Sequence, residues 1–254
     1  MCTKQTNGEG KRGPTDAEDL QFQPDADAPR DISLTFVALM GSERVHGNTA
    51  QVLSSVSRFL AARQVRLQVL KLTTLKLAAC GPCGDCNRRT APCALDDDMP
   101  SVIDAMRRAD GIIYAAPVHA FGMSQTMQSF LERAGVGFLR FERPLANKVA
   151  GVIVTGRRYS HMQVYSQLQQ NILLNRMVLT GSGYPAIVAG GSPGTALHDD
   201  EGMASVRAMV SRMVSMASLL KRASRSGFDL PVDTHNERTP MPSTPAHSPT
   251  YVSP

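Results

Sequence analysis

The sequence predicts an α/β protein, a doubly wound three-layer fold built on a five-stranded parallel sheet. Three observations predict it. Five apolar, strand-like runs alternate with amphipathic segments of helical period, the pattern of a parallel sheet covered on both faces. These runs fall within about 190 residues, between 31 and 224 of 254, enough for one three-layer domain. Hydrophobic residues make up 42% of the chain, normal for a globular protein.

The elements follow in order. "ISLTFVAL" (32–39) reads as the first buried strand, and Val52, Leu53, Val56, Phe59 and Leu60 fall at helical spacing after it. "VRLQVLKL" (65–72) alternates as a second strand. A helix begins near Pro100, with Asp97 or Asp98 as its cap and the proline in its first turn. "GIIYAAP" (111–117) is the third strand; Met123, Met127, Phe130 and Leu131 mark a helix that Gly135 ends. "KVAGVIVT" (148–155) is the fourth strand, followed by a helix from about Ser160 to Met177, and "YPAIVAG" (184–190) is the fifth. A last helix carries Met203, Val206, Met209, Val210, Met213, Met216 and Leu220 on one face, a stripe read as core packing.

Residues 1–30 and 225–254 are expected to be disordered tails, the first polar and aperiodic, the second rich in Pro, Ser and Thr. Both are net acidic, so the +5 charge of the chain is carried by the middle, which suits anionic ligands. Nucleic acid is not expected, because no Lys/Arg cluster is interleaved with aromatics and Trp is absent. No run approaches the ~20 apolar residues of a membrane helix, and no apolar signal region opens the chain. The expected compartment is therefore the cytoplasm, where thiols stay reduced.

In open parallel sheets ligands sit beyond the carboxyl ends of the strands. The first such loop, "GSERVHGNTA" (41–50), has the makings of a phosphate cradle. Gly41 and Gly47 permit close backbone approach; Ser42, Asn48 and Thr49 offer polar groups; Arg44 adds charge; and a helix opens near Asn48 with unpaired N–H groups. It is neither a Walker loop nor a GxGxxG turn.

"GSERVHGNT" resembles the GSxRxxGNT loop of the NADPH-dependent FMN reductase and flavodoxin-like flavoproteins, and "ADGIIYAAPVHAFGMSQTMQSFLER" (109–133) resembles that family's second signature. The resemblance implies a flavodoxin-like fold, bound FMN and NAD(P)H as co-substrate. It implies that Ser42, Arg44, Gly47, Asn48 and Thr49 hold the FMN phosphate. Pro117, Val118, His119, Ala120, Phe121 and Gly122 would line the ring, and the loop from Thr155 through Gly156 and Arg157 would reach its pyrimidine side. His119 stands where the family usually has Tyr or Phe, and "TGRRYSHMQ" (155–163) replaces an often glycine-rich stretch. Arg157 or Arg158 beside that edge would stabilise reduced, anionic flavin. The family often forms dimers or tetramers, so a homo-oligomer is expected.

Four of the five cysteines lie in "ACGPCGDCNRRTAPCALDDDM" (79–99), at Cys80, Cys83, Cys86 and Cys93. C-x2-C-x2-C-x6-C matches the demand of a [4Fe–4S] cluster better than zinc, whose sites use two separated C-x2-C pairs. A similar compact cysteine set marks the iron–sulfur flavoproteins of the resembling family; metal-free thiols remain the alternative. The C-x5-R-T phosphatase pattern from Cys83 to Thr90 lacks the strand before it and the helix after it. The expected activity is an FMN-dependent NAD(P)H oxidoreductase passing electrons to a small-molecule acceptor. The alternative is an electron carrier serving a ferredoxin-like partner.

Overall fold

One mixed sheet organises the chain in the computed structural model, which describes residues 33–81, 92–134 and 142–232. β1 (Leu34–Met40) lies between β2 (Val65–Lys71) and β3 (Gly111–His119), and β5 (Val149–Gly156) lies on the far side of β3. All these neighbours are parallel. The fifth position is occupied by two short pieces. β6 (Val178–Leu179) pairs with the start of β5, and β7 (Ile187–Ala189) pairs with its end. The five expected strands are thus present, the fifth shortened to β7, and β6 is a further short strand that the sequence pattern does not announce. The direction of winding reverses around β1, so the loops after β1 and β3 meet at the topological switch point.

Both faces of the sheet are covered. Alternate side chains of β1 enter opposite cores: Val37 and Leu39 on one face, Phe36, Ala38 and Met40 on the other. The first face packs against α2 (Met99–Arg108), α3 (Gln125–Leu131) and α4 (His161–Leu174). The second packs against α1 (Asn48–Ala61) and α5 (Asp200–Arg225). Met203, Met209 and Met213 of α5 are buried there, so the methionine stripe is core. Each of the large buried side chains contributes about 1.5–3 kcal/mol of hydrophobic stabilisation. Tyr114 in β3 is fully buried, and its hydroxyl donates to Asn171 Oδ1 at 3.0 Å. Burial pushes the phenol well above its usual range, so it stays a neutral donor.

Two expectations change in detail. Met123, expected in a helix, lies in a two-residue strand β4 (Gly122–Met123) that folds back antiparallel on the end of β3. The reason is that β3 runs on to His119 and reverses at once through Ala120 and Phe121. At α2, Asp98 occupies the cap position but its side chain accepts from Lys76 N–H instead, and Asp97 Oδ1 takes the Met99 N–H at 3.2 Å. Pro100 lies in the first turn, as expected. Gly135 and Cys2 fall outside the described residues.

Candidate functional site

The loop after β1 folds into a small concavity. Ser42 is buried, and its Oγ accepts from Arg44 N–H at 3.2 Å, a local side-chain turn that curls the backbone inward. Gly47 N–H closes the curl on the Arg44 carbonyl at 3.1 Å. A Cβ at Gly47 would lie 2.9 Å from Arg44 Cβ and 3.5 Å from Ser42 Oγ, so any side chain there would fill the cradle. Gly47 is also the cap residue of α1; it has no side chain to offer, and the first turn holds no acidic residue. The N–H groups of Asn48, Thr49 and Ala50 therefore have no acceptor among the described residues. An uncapped helix start, facing an inturned hydroxyl beside the exposed Arg44, fits a phosphate.

Two side chains expected at the phosphate already have protein partners. Asn48 Oδ1 accepts from Gly194 N–H at 2.9 Å and from Ala196 N–H at 3.4 Å. Thr49 Oγ1 and Thr155 Oγ1 lie 2.6 Å apart in a buried pair. Asn48 Nδ2 keeps its donors, and the threonine pair keeps one hydroxyl proton beyond the one it shares.

Facing this cradle is the β3–β4 hairpin. Val118 pairs with Met123 and His119 with Gly122, leaving Ala120 and Phe121 as the two turn residues. Both have positive φ, 44° and 67°, as a type I′ turn requires, although neither is Gly, Asn or Asp. That conformation costs non-glycine residues about 1–2 kcal/mol each. It displays the Phe121 ring, 72% exposed, beside Tyr159, 61% exposed, with centroids 6.4 Å apart. His119 Nδ1 stands 3.4 Å from Glu43 Oε2, linking this hairpin to the first loop. Replacing Ala120 by Asn together with Phe121 by Gly is expected to raise stability by about 1–2 kcal/mol, read as a higher denaturant midpoint at unchanged m-value.

The loop after β5 forms the third wall. Thr155 is buried against Thr49, and Gly156 carries the chain past Val118. His161, at the start of α4, places a buried Nε2 without a partner 2.7 Å from where a Gly156 Cβ would be. No sequence signal singled out this histidine. Arg157 lies along Gly191, lining an open cleft of about 590 Å³ with Ala189, Gly190, Ser192 and Thr195. Arg158 is exposed.

Of the four clustered cysteines, Cys80 and Cys93 are described, both exposed and free, and Cys83 and Cys86 lie outside the described residues. The two stems of their loop are tied together at its neck. Lys76 N–H donates to Asp98 Oδ2 at 2.7 Å, Asp98 N–H to the Lys76 carbonyl at 2.9 Å, and Ala78 N–H to Asp97 Oδ2 at 2.9 Å. Arg133, just past α3, grips Asp97 with both terminal nitrogens and donates to the Ala78 carbonyl at 3.1 Å. The Asp97 and Arg133 side chains are 1% and 5% exposed. Burial alone would raise the Asp97 carboxyl, but Arg133 and the Ala78 and Met99 N–H groups outweigh it and hold the carboxyl below its ordinary 3.8. The Asp97 hydrogen bond raises the Arg133 guanidinium in turn, and Cys93 beside it adds to that. Asp97 and Asp98 of "DDDM" thus serve the loop neck. Among the described residues no group of three or more His, Cys, Asp or Glu side chains is placed to hold a metal ion, and no helix is long and apolar enough to cross a membrane.

Known proteins resemble this chain in sequence and fold. The pattern described as NADPH-dependent FMN reductase matches residues 34–191, more than half of the chain. An iron–sulfur flavoprotein of Methanocaldococcus jannaschii is 26% identical over 193 residues, 73% of this chain and 98% of that protein. An iron–sulfur flavoprotein of Methanosarcina thermophila is 23% identical over 191 residues, 74% and 98% of the two chains. Among solved structures, RosB with bound 8-demethyl-8-formylriboflavin 5′-phosphate superposes with a TM-score of 0.61 at 15% identity, covering 87% of this chain and 96% of RosB.

Proposed function

Because the chain belongs to the NADPH-dependent FMN reductase family, we propose that the cradle of residues 42–49 grips the phosphate of FMN and that the hairpin and the β5–α4 loop enclose its ring. The observation that carries this reading is the start of α1, where three N–H groups without an acceptor and the Ser42 hydroxyl border a hollow that a single Cβ would fill. Ser42 and the Asn48, Thr49 and Ala50 N–H groups donate to the phosphate oxygens, and Arg44 balances their charge. Val118, Phe121 and Tyr159 present the apolar surface against which a planar ring stacks. Thr155 and Gly156 bring the end of β5 to the polar edge of that ring; the Arg157 side chain, expected there, lies along Gly191 instead. FMN, when bound, would supply the redox chemistry, hydride acceptance from a reduced nicotinamide and electron delivery to an acceptor.

The cysteine loop extends the same reading. Its donor set is four thiols, as a [4Fe–4S] cluster requires, and the braced neck holds Cys80 and Cys93 at the two ends of one loop. Arg133 places a cation beside Cys93. The names of the two archaeal relatives support this assignment.

The test is the visible spectrum of anaerobically purified protein, with iron and sulfide analysis, before and after NADPH. Flavin absorption that bleaches on NADPH addition, with about four irons per chain, is the expected result. Protein that is colourless and takes up no added FMN would overturn the flavin assignment. Flavin without iron would remove the cluster and leave the reductase.

A further inference from the structure

The cleft of about 590 Å³ beside Arg157 has no role in holding FMN as described above. We infer that it is the seat of a phosphate monoester of the reducing dinucleotide, the 2′-phosphate that distinguishes NADPH from NADH; this rests on the reductase reading.

Four features point to that ligand. The cleft is lined by a fixed cation, two hydroxyls and bare backbone, with no acidic side chain among its lining residues. The Arg157 stem lies 3.6–3.8 Å from a Cβ position on Gly191, which carries the guanidinium over the Gly190–Gly191 backbone. Thr195 Oγ1 donates to the Ser192 carbonyl at 2.7 Å, which leaves the Ser192 hydroxyl and the Gly191 N–H as donors without an acceptor among the described residues. The Asp199 carboxylate is engaged by Ala189 N–H at 2.6 Å and Gly202 N–H at 3.1 Å.

The floor of the cleft is already fixed. Gly190 N–H donates to the Gly156 carbonyl at 2.8 Å, and Asn48 Oδ1 accepts from the Gly194 and Ala196 N–H groups. A Cβ on Gly190 would meet Ala196 N at 2.6 Å and Asn48 Nδ2 at 2.8 Å, so only glycine permits this closure. A braced loop loses little freedom when it binds an anion. The position also suits the chemistry. Arg157 belongs to the same loop as Tyr159, two residues before it, so one loop serves both this cleft and the exposed Phe121–Tyr159 pair where a nicotinamide would lie. Arginine rather than lysine fits a dianionic monoester, which a planar fork can engage with two bonds.

The test uses FMN-loaded protein titrated with adenosine 2′,5′-bisphosphate and, separately, with adenosine 5′-monophosphate, alongside steady-state rates with NADPH and NADH. Wild type is expected to bind the bisphosphate about tenfold or more tightly than the monophosphate. Ser192→Asp, an exposed change that puts a carboxylate in the cleft, is expected to abolish that preference. It should lower the NADPH:NADH ratio of kcat/KM by about tenfold or more, with flavin content per chain unaltered. Arg157→Ala should lower the same ratio, and Arg157→Lys should restore part of it. Equal binding of the two nucleotides by wild type, an unaltered ratio in Ser192→Asp, or displacement of FMN by the bisphosphate would each overturn the inference. Selective bisphosphate binding by a wild type that oxidises neither dinucleotide would uphold the site and refute the reductase reading instead.

Discussion

Ser42→Asp is expected to yield folded protein that has lost its flavin. The Ser42 hydroxyl sits inside the curl of residues 42–47, 3.5 Å from where a Gly47 Cβ would point. A carboxylate in that place faces a phosphate dianion at close range in a partly buried hollow. Two like charges about 4 Å apart repel by about 4 kcal/mol at an effective dielectric near 20. Even half of that lowers FMN affinity about 30-fold, and the full value about 1,000-fold. Ser42→Ala is expected to be milder, about tenfold, because it removes one donor and orphans the Arg44 N–H without adding charge. The measurement is the dissociation constant for FMN by quenching of flavin fluorescence, with far-UV circular dichroism as the control for folding. FMN affinity within threefold of wild type in the aspartate variant would show that the phosphate lies elsewhere.

Asp97→Ala is expected to be the most damaging single change outside the apolar core. It strands the Arg133 guanidinium, whose side chain is 5% exposed, and leaves the Ala78 and Met99 N–H groups unpaired. Removing one partner of a buried ion pair costs about 3–5 kcal/mol, a large share of the ~5–15 kcal/mol that holds a domain together. On the proposed cluster assignment, the variant should also lose iron in proportion, because the same carboxylate ties the neck of the cysteine loop; a surface change of equal destabilisation would not produce that loss. The double change Asp97→Leu with Arg133→Met removes both charges and should recover much of the stability while leaving the iron deficit. Wild-type stability should follow the titration of the same group. The Asp97 carboxyl lies below its ordinary 3.8 in the folded state, so its contribution is fully present above about that pH and is lost as acid protonates it below. A wild type whose unfolding midpoint is flat across that acid range would count against this account.

Much of the architecture is legible in the sequence because the signals are local. The runs at β1, β3 and β5 are long, apolar and β-branched, and the period-3.6 stripes of α1 and α5 coincide with buried faces. What local reading misses is set by distant partners. Nothing around Asn48 announces that its carbonyl serves Gly194, 146 residues away, and nothing around Asp97 names Arg133. Both residues look like helix caps in isolation, and Asp97 does take the Met99 N–H, yet its main partner is tertiary. The β4 arm is hidden for a different reason. Its turn uses Ala and Phe where a glycine or asparagine would have given the hairpin away, and a two-residue strand has no period to read. At the candidate site, the first loop was readable from its glycines and hydroxyls, whereas the cleft beside Arg157 depends on a loop 30 or more residues further along and on a fold-back that only the assembled sheet supplies.

The far side of the sheet carries a consequence for how copies of this molecule meet. β6 and β7 together offer only five paired residues, interrupted by residues 180–186. A margin broken in this way gives an incoming strand no continuous ladder to extend, whereas β2 at the other margin is seven residues long. There Arg66 and Lys71 supply charge that discourages another strand from pairing along this edge. The protein is thereby guarded against fibrous growth at both borders by different means, geometry at one and electrostatics at the other.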